Sequence, residues 1–193
     1  MYILGFNGPP RSGKDSMAAM VVEHMEIQGC DIPVKVDYLS LPLRQIAYQM
    51  VGYTGDLFGD DYESFKVMQF GQFEARTGRE LMIDVSERFL KPTYGIDVMA
   101  KMLLQRNHNF DGLLLVPDSG FMCEVQPLID AVGQNHLYIV RVHRGDLNFN
   151  NDSREWVHCF HDTDINNDGS LDDLRVEAGR IYGRLVNKMN WKL

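Results

Sequence analysis

The sequence is poor in cysteine: Cys30, Cys123 and Cys159 are the whole set in 193 residues, odd in number and scattered. No disulfide framework can be built from them, so they read as small hydrophobes in a reduced, cytoplasmic protein. Long apolar runs are missing too. Nothing approaches the roughly 20 residues of a membrane span, and no membrane partner is expected. The opening MYILGFNG has neither the basic segment nor the small-residue cleavage site of a secretory signal. Positive charge is scarce, with 19 Lys and Arg against 27 Asp and Glu, a net charge of −8. Such a chain suits a nucleic-acid backbone badly, and no stable nucleic-acid partner is expected. A small anion stays admissible, because a few arginines can dominate one cleft. Internal repeats and low-complexity linkers are absent, and no Ser-His-Asp or Cys-His constellation can be assembled.

What is present is apolar side chain enough for a core, 45 % of the residues, in a length that suits one domain with a small insertion. YILGFN (2–7) is a short apolar run of the kind that forms a buried parallel strand. Met17, Met20, Val21, His24 and Met25 then recur at helical spacing, with Gly29 as the stop. VKVDYL (34–39) reads as a second strand and LPLRQIAYQMV (41–51) as a helix. Residues 113–116 and LYIVRV (137–142) are further buried strands, separated by a helix carrying Val125, Leu128, Ile129 and Val132. Residues 156–165 read as a fifth strand. Ser170 caps a last helix whose apolar face is Leu174, Ala178, Ile181, Leu185 and Val186.

Strands alternating with helices predict an α/β fold, a parallel five-stranded sheet covered on both faces. Residues 56–100 show no convincing strand and read as a helical insertion into a core of 1–55 and 101–193. Within it, Thr77-Gly-Arg-Glu80 has capping-box spacing. It opens a helix with Leu81, Val85 and Phe89 on one face, which Pro92 should stop.

The most informative stretch is GPPRSGKDS (8–16), a Gly-x-x-x-x-Gly-Lys spacing between an apolar strand and an amphipathic helix. Backbone N–H groups in such a loop surround phosphate at a helix N-terminus, and the lysine reaches the β- and γ-phosphates. Gly8, Pro9, Pro10, Arg11, Ser12, Gly13, Lys14, Asp15 and Ser16 are therefore expected to bind ATP. Asp15 stands where Ser or Thr usually follows the lysine. A carboxylate there suits the first turn of a helix and is a good magnesium ligand. Ser16 is a candidate donor to the α-phosphate and, with Asp15, a candidate metal ligand. Asp118 ends the run LLLVPD at the carboxyl edge of a buried strand, where a second magnesium-organising acid belongs.

A loop ending SGKDS resembles that of bacteriophage deoxynucleoside monophosphate kinases, which have the adenylate-kinase-like P-loop fold. The resemblance covers nearly the whole chain: SLPLRQ (40–45), TGRELMIDVSERFLKPTYGID (77–97) and INNDGSLDDL (165–174) are similar to successive family segments. It departs in two places. Ile83 and Ser86-Glu87-Arg88 replace the family's Gln and Gly-Thr-Glu, and Asp118 precedes Ser119-Gly120-Phe121 rather than x-Arg. These changes leave the nucleotide loop intact and leave the acceptor base open. The resemblance implies that Arg79 holds the acceptor monophosphate, with Arg44, Arg88 and Lys91 as further candidates. On a regular helix Arg88 would lie roughly opposite Arg79. It implies a lid over about 143–156, in which Arg144 and Arg154 join Lys14 and Asp118 in stabilising the transferring phosphoryl group. It also brings Asn166 to Gly169, Asn167 among them, against the donor base.

Two other patterns carry less. DINNDGSLDDLR (164–175) imitates a calcium loop, but Arg175 stands at the position of the bidentate acid and the preceding segment reads as strand. A strand-to-helix turn capped by Ser170 accounts for the same residues. HCFH (158–161) would need His158 and His161 to converge, whereas strand alternation turns them apart. The sequence thus points to a magnesium-dependent kinase moving the γ-phosphate of ATP to a (deoxy)nucleoside monophosphate, a monomer or homodimer, in the host cytoplasm if phage-encoded. A kinase acting on a modified base in DNA and a non-catalytic nucleotide-binding regulator are the alternatives.

Overall fold

The computed structural model describes residues 1–150 and 152–189. In chain order the elements are β1 (Tyr2–Asn7), α1 (Lys14–Ile27), β2 (Val34–Val36), α2 (Leu41–Val51), α3 (Gly59–Val67), β3 (Gln69–Phe70), β4 (Arg76–Thr77) and α4 (Gly78–Asp84). A π-helical stretch, Val85–Leu90, leads into α5 (Lys91–Tyr94) and α6 (Val98–Arg106). Then follow β5 (Leu113–Val116), α7 (Val125–Val132), β6 (Leu137–His143), β7 (Asp162–Asn166) and α8 (Leu171–Met189). They form two compact units, Met1–Tyr38 with Leu103–Leu193, and Leu39–Met102.

The first unit is the α/β body. Its sheet runs in the order β2-β5-β1-β6-β7, and every pairing is parallel. Alternation along the strands sends Leu4, Phe6, Leu113, Leu115, Val140 and Val142 to one face. There they meet Met17, Val21 and Met25 of α1 and Leu174, Ala178, Ile181 and Leu185 of α8. Burying each of these side chains other than Ala178 stabilises the fold by about 1.5–3 kcal/mol. Ile3, Leu114, Val116, Leu137 and Ile139 are buried on the other face, where α7 contacts β1 and β6. Chain order reverses around central β1, which puts the switch point of the sheet at the carboxyl end of that strand.

Two strands are shorter than expected. β2 stops at Val36, and the next residue, Asp37, turns its carboxylate to Arg106 and Asn107. The fifth strand begins at Asp162 rather than 156; ahead of it the Glu155 carbonyl and the Val157 amide hydrogen-bond to the side chain of Asn7 instead of a strand ladder.

The second unit starts at Leu39, so α2 belongs with the helices expected only from about residue 56. Its core is Ala47, Tyr48, Phe65, Phe70, Leu81 and Met82. It also contains the β3–β4 hairpin, two residues per strand, too short for any periodicity to reveal. The capping box forms: the Glu80 amide donates to Thr77 Oγ1 at 3.2 Å, and the Thr77 amide donates to Glu80 Oε2 at 2.7 Å. Leu81 and Val85 are buried as expected, but Phe89 is 53 % exposed. The cause is the π-helical turn, in which the Lys91 amide donates to the Ser86 carbonyl five residues back. The wider turn rotates the following residues, and Ser86 and Leu90 take the buried positions. Nor does Pro92 stop the chain's helical course. It falls second in α5, directly after the π-helical turn, where the regular i→i−4 ladder that a proline would interrupt is already broken.

Candidate phosphate-binding site

The loop 8–13 leaves β1 at the switch point and enters α1 at Lys14. Two close approaches shape it. A Cβ on Gly8 would meet the Val142 carbonyl at 2.5 Å and Ser12 Oγ at 2.7 Å. Gly13 has φ +100, and a Cβ there would fall on the amide nitrogen of Asn167. Glycine is required at 13 for both reasons. Ser12 is buried, and its amide donates to the Pro9 carbonyl at 3.2 Å, while Arg11 takes a left-handed φ of 66. Pro10, Arg11, Asp15 and Ser16 are exposed, whereas Pro9 lies inside. The first amides of α1 have no acceptor within the helix, so they are open to an anion.

Lys14 is 7 % exposed and curls over this loop, donating from Nζ to the Pro9 carbonyl at 2.7 Å and more weakly to Ser12 Oγ at 3.4 Å. Burial, and secondly the Arg154 guanidinium, push its pKa down from 10.5 to about 8. Asp15, Asp118 and Asp152 act the other way. The loop lysine, the arginine of the expected lid and both candidate metal acids therefore lie within electrostatic reach of one another.

Arg154 is positioned by Asp152, a residue the sequence reading passed over. Nε and Nη2 of Arg154 donate to its two carboxylate oxygens at 2.9 and 2.6 Å, a bidentate pair whose acid is only 6 % exposed. Arg144 donates from Nη1 to the Arg11 carbonyl at 3.3 Å. The amide of Gly145 donates to Asp168 at 2.5 Å, tying the start of this segment to the turn before α8. Trp156 stacks on His143, with ring centroids 4.2 Å apart, and meets Phe149 edge-on. Asn151, inside the expected lid, lies outside the described residues.

Asn167 is buried and donates from Nδ2 to the Ser12 carbonyl at 2.8 Å, so in this structure it supports the loop. The false calcium loop is a strand-to-helix turn. The Asp164 carboxylate accepts from Arg141 and His143, and Ser170 caps α8 with its Oγ accepting from the Asp173 amide at 3.2 Å. His158 contacts Asp162, while His161 stacks on Tyr138.

Among the described residues no group of three or more His, Cys, Asp or Glu is arranged to hold a metal. Asp15, Asp118 and Ser16 offer hard oxygens, which suit magnesium, but two carboxylates do not make a closed cage. Such a set fits an ion that keeps waters and completes its shell with phosphate oxygens. Tyr38 Oη donates to Asp15 Oδ1 at 3.4 Å and orients one of the two acids.

The expected acceptor residues lie in the second unit. Arg44 is buried in α2, its Nε donating to Ser40 Oγ at 3.1 Å and Nη1 to the Leu57 carbonyl at 2.9 Å. Its guanidinium lies 3.9 Å from the ring centre of Tyr62 and 5.3 Å from that of Phe58. Arg79 is exposed in the first turn of α4. Arg88 pairs with Asp84 at 3.1 Å, and Lys91 with Glu87 at 2.6 Å.

Loop, lysine and strand order together define a P-loop α/β fold of the three-layer kind. No protein-family model and no curated protein matches the chain. Among solved structures, a gluconokinase from Sinorhizobium meliloti 1021 is similar with a TM-score of 0.50 and 11 % identity, over 98 % of this chain and 95 % of that one. A sugar kinase from a Janibacter species aligns with a TM-score of 0.48 and 7 % identity, over 99 % and 95 % of the two chains. At these identities the likeness concerns the fold. Among the described residues no helix is long and apolar enough to cross a membrane.

Proposed function

We propose that the protein is a phosphotransferase that moves the γ-phosphate of ATP to a (deoxy)nucleoside monophosphate with magnesium. The observation that carries the reading is Lys14, buried over a glycine-shaped loop at the switch point of a parallel sheet, with Arg154, Asp15 and Asp118 around it. In this proposal loop amides and Lys14 hold the β- and γ-phosphates, and Arg154 and Arg144 meet the charge on the transferring group. Asp15 and Asp118 would hold magnesium, which screens phosphate charge when bound. The acceptor monophosphate is assigned to Arg79, with Arg44, Arg88 and Lys91 as supporting cations. Phosphoryl transfer needs positioning and charge neutralisation rather than a covalent nucleophile.

A sugar-acid hydroxyl is the second acceptor class, favoured by the likeness of fold to a gluconokinase. An ADP-release screen over the common deoxy- and ribonucleoside monophosphates, with gluconate as a further arm, separates the two. Turnover with a monophosphate is expected. Turnover with gluconate alone moves the acceptor assignment, and no ADP above background in any arm rejects a kinase.

A further inference from the structure

Asn7 is the last residue of β1, one peptide bond before the loop, and no part of it is exposed. A fully buried amide must satisfy its hydrogen bonds or cost stability. This one makes three. Nδ2 donates to the Ser119 carbonyl at 2.9 Å and to the Glu155 carbonyl at 3.0 Å, and Oδ1 accepts from the Val157 amide at 2.9 Å.

The partners belong to two segments that matter to the site. Ser119 follows Asp118, and Glu155 follows Arg154. Each segment is irregular, with no ladder to fix its height above the sheet. They are also joined to each other. The Glu155 amide donates to the Gly120 carbonyl at 3.0 Å, and the Met122 amide donates to Glu155 Oε1 at 3.1 Å. The stem of Arg154 lies on Gly120, where an added Cβ would meet Arg154 Cγ and Cδ at 2.7 Å. Asn7 thus ties both irregular segments to the strand from which the phosphate loop springs.

We propose that Asn7 is a positioning residue of the phosphate site, its carboxamide setting Arg154 and the Asp118 turn relative to the loop of Lys14. The inference deepens the kinase reading and rests on it for its functional meaning, but the placement itself can be measured without turnover. A residue that only stabilises the fold would loosen the unit generally. A positioning residue moves Arg154 in particular.

Asn7→Ser is the first variant. If it fails to fold, Asn7→Asp, which keeps an acceptor for Val157, replaces it. The first readout is the Nε–H NMR signal of Arg154, with that of Arg106 as internal control, since Arg106 is held in the same unit by Asp37 at 3.2 Å. In Asn7→Ser the Arg154 signal is expected to shift and exchange faster while Arg106 keeps its position. The second readout is a double-mutant cycle with Arg154→Ala, followed by titration with magnesium and a non-hydrolysable ATP analogue and by kcat where an acceptor is turned over. Asn7→Ser is expected to lower kcat about 10- to 100-fold, the scale of an ångström-sized misplacement, with a smaller change in the KM for ATP. In the Arg154→Ala background that cost should vanish, while the effects on Tm stay additive. An unmoved Arg154 signal, equal loosening of Arg106, or full additivity in kcat overturns the proposal. If the wild-type protein neither binds the analogue nor turns over, the kinase reading fails, and the NMR comparison still decides the role of Asn7.

Discussion

The side-chain amide of Asn167 sits directly on Gly13: Nδ2 donates to the Ser12 carbonyl at 2.8 Å, and a Cβ on Gly13 would collide with that same nitrogen. The turn before α8 and the phosphate loop, 155 residues apart in sequence, are thereby one piece of packing.

Gly13→Ala should damage the loop twice. A left-handed φ costs a residue with a Cβ about 1–2 kcal/mol, and Asn167 must also be displaced. ATP affinity measured by calorimetry should fall at least tenfold, with a lower Tm. Asn167→Ala should cost less, about 1–3 kcal/mol for a carbonyl left without its donor. Unchanged ATP binding by Gly13→Ala would remove the loop from the site.

Lys14 gives a prediction with two opposite signs. Its folded pKa of about 8 lies below the ordinary 10.5. The unfolded chain therefore binds more protons between these values, and this group's contribution to stability rises with pH across that window. Below pH 8 its destabilising effect is complete. ATP affinity should move the other way, falling as pH climbs through 8 and Lys14 loses its charge. Lys14→Met should show neither trend and should abolish phosphoryl transfer with the fold intact by circular dichroism. Parallel pH profiles for the two proteins would contradict the assignment.

Arg79 tests the separation of acceptor from donor. A guanidinium grips a monophosphate with two charge-assisted bonds, and lysine keeps the charge but loses the fork. Arg79→Lys should weaken acceptor use. Arg79→Ala should lower kcat/KM by about one to two orders of magnitude per bond lost, on the basis of roughly 1.5–3 kcal/mol each. ATP affinity without acceptor should barely change. The reverse pattern would exchange the two sites.

Asp37 is a structural acid. Burial alone would raise its pKa, but hydrogen bonds from Arg106 and Asn107 outweigh that and hold it below the ordinary carboxylate range. Its contribution to stability is present above the unfolded pKa of about 3.9 and is lost as pH falls through the lower folded value. Asp37→Ala takes the shared acceptor from the half-buried Arg106 guanidinium and the buried Asn107 amide, and should destabilise by about 1–3 kcal/mol in urea denaturation. A midpoint within experimental error of the wild type would show the pair to be inconsequential.

Much of the fold was legible because it rests on local patterns. Apolar runs at strand length, a 3.6-residue period, Gly29 after α1 and Ser170 before α8 each act within a few residues. β1, α2 and β5 accordingly begin and end where the sequence places them. The phosphate loop was legible for the same reason, since strand, glycines, lysine and helix are contiguous. The polar residue closing YILGFN was also visible, and a buried strand ending in Asn immediately before such a loop is a signal that was there to read.

The acids and amides that hold the site were decided elsewhere. Asn7 meets Val157 across 150 residues and Ser119 across 112, pairings that no period or spacing encodes. Arg79 and Arg88 carry the same limit in another form, because one π-helical turn between them alters a face assigned from a regular helix. By itself the sequence determined where most strands of the large sheet, several helices and the glycine-lysine loop fall along the chain, since apolar periodicity and turn residues act within each stretch. Tertiary structure alone decided that the Arg154–Asp152 pair lies near Lys14, that Asn167 seals Gly13 and that Arg44 is buried beside Tyr62. The physical reason is that a buried charge or amide takes whichever partner the packed chain brings within about 3 Å, and distance along the sequence does not enter that choice.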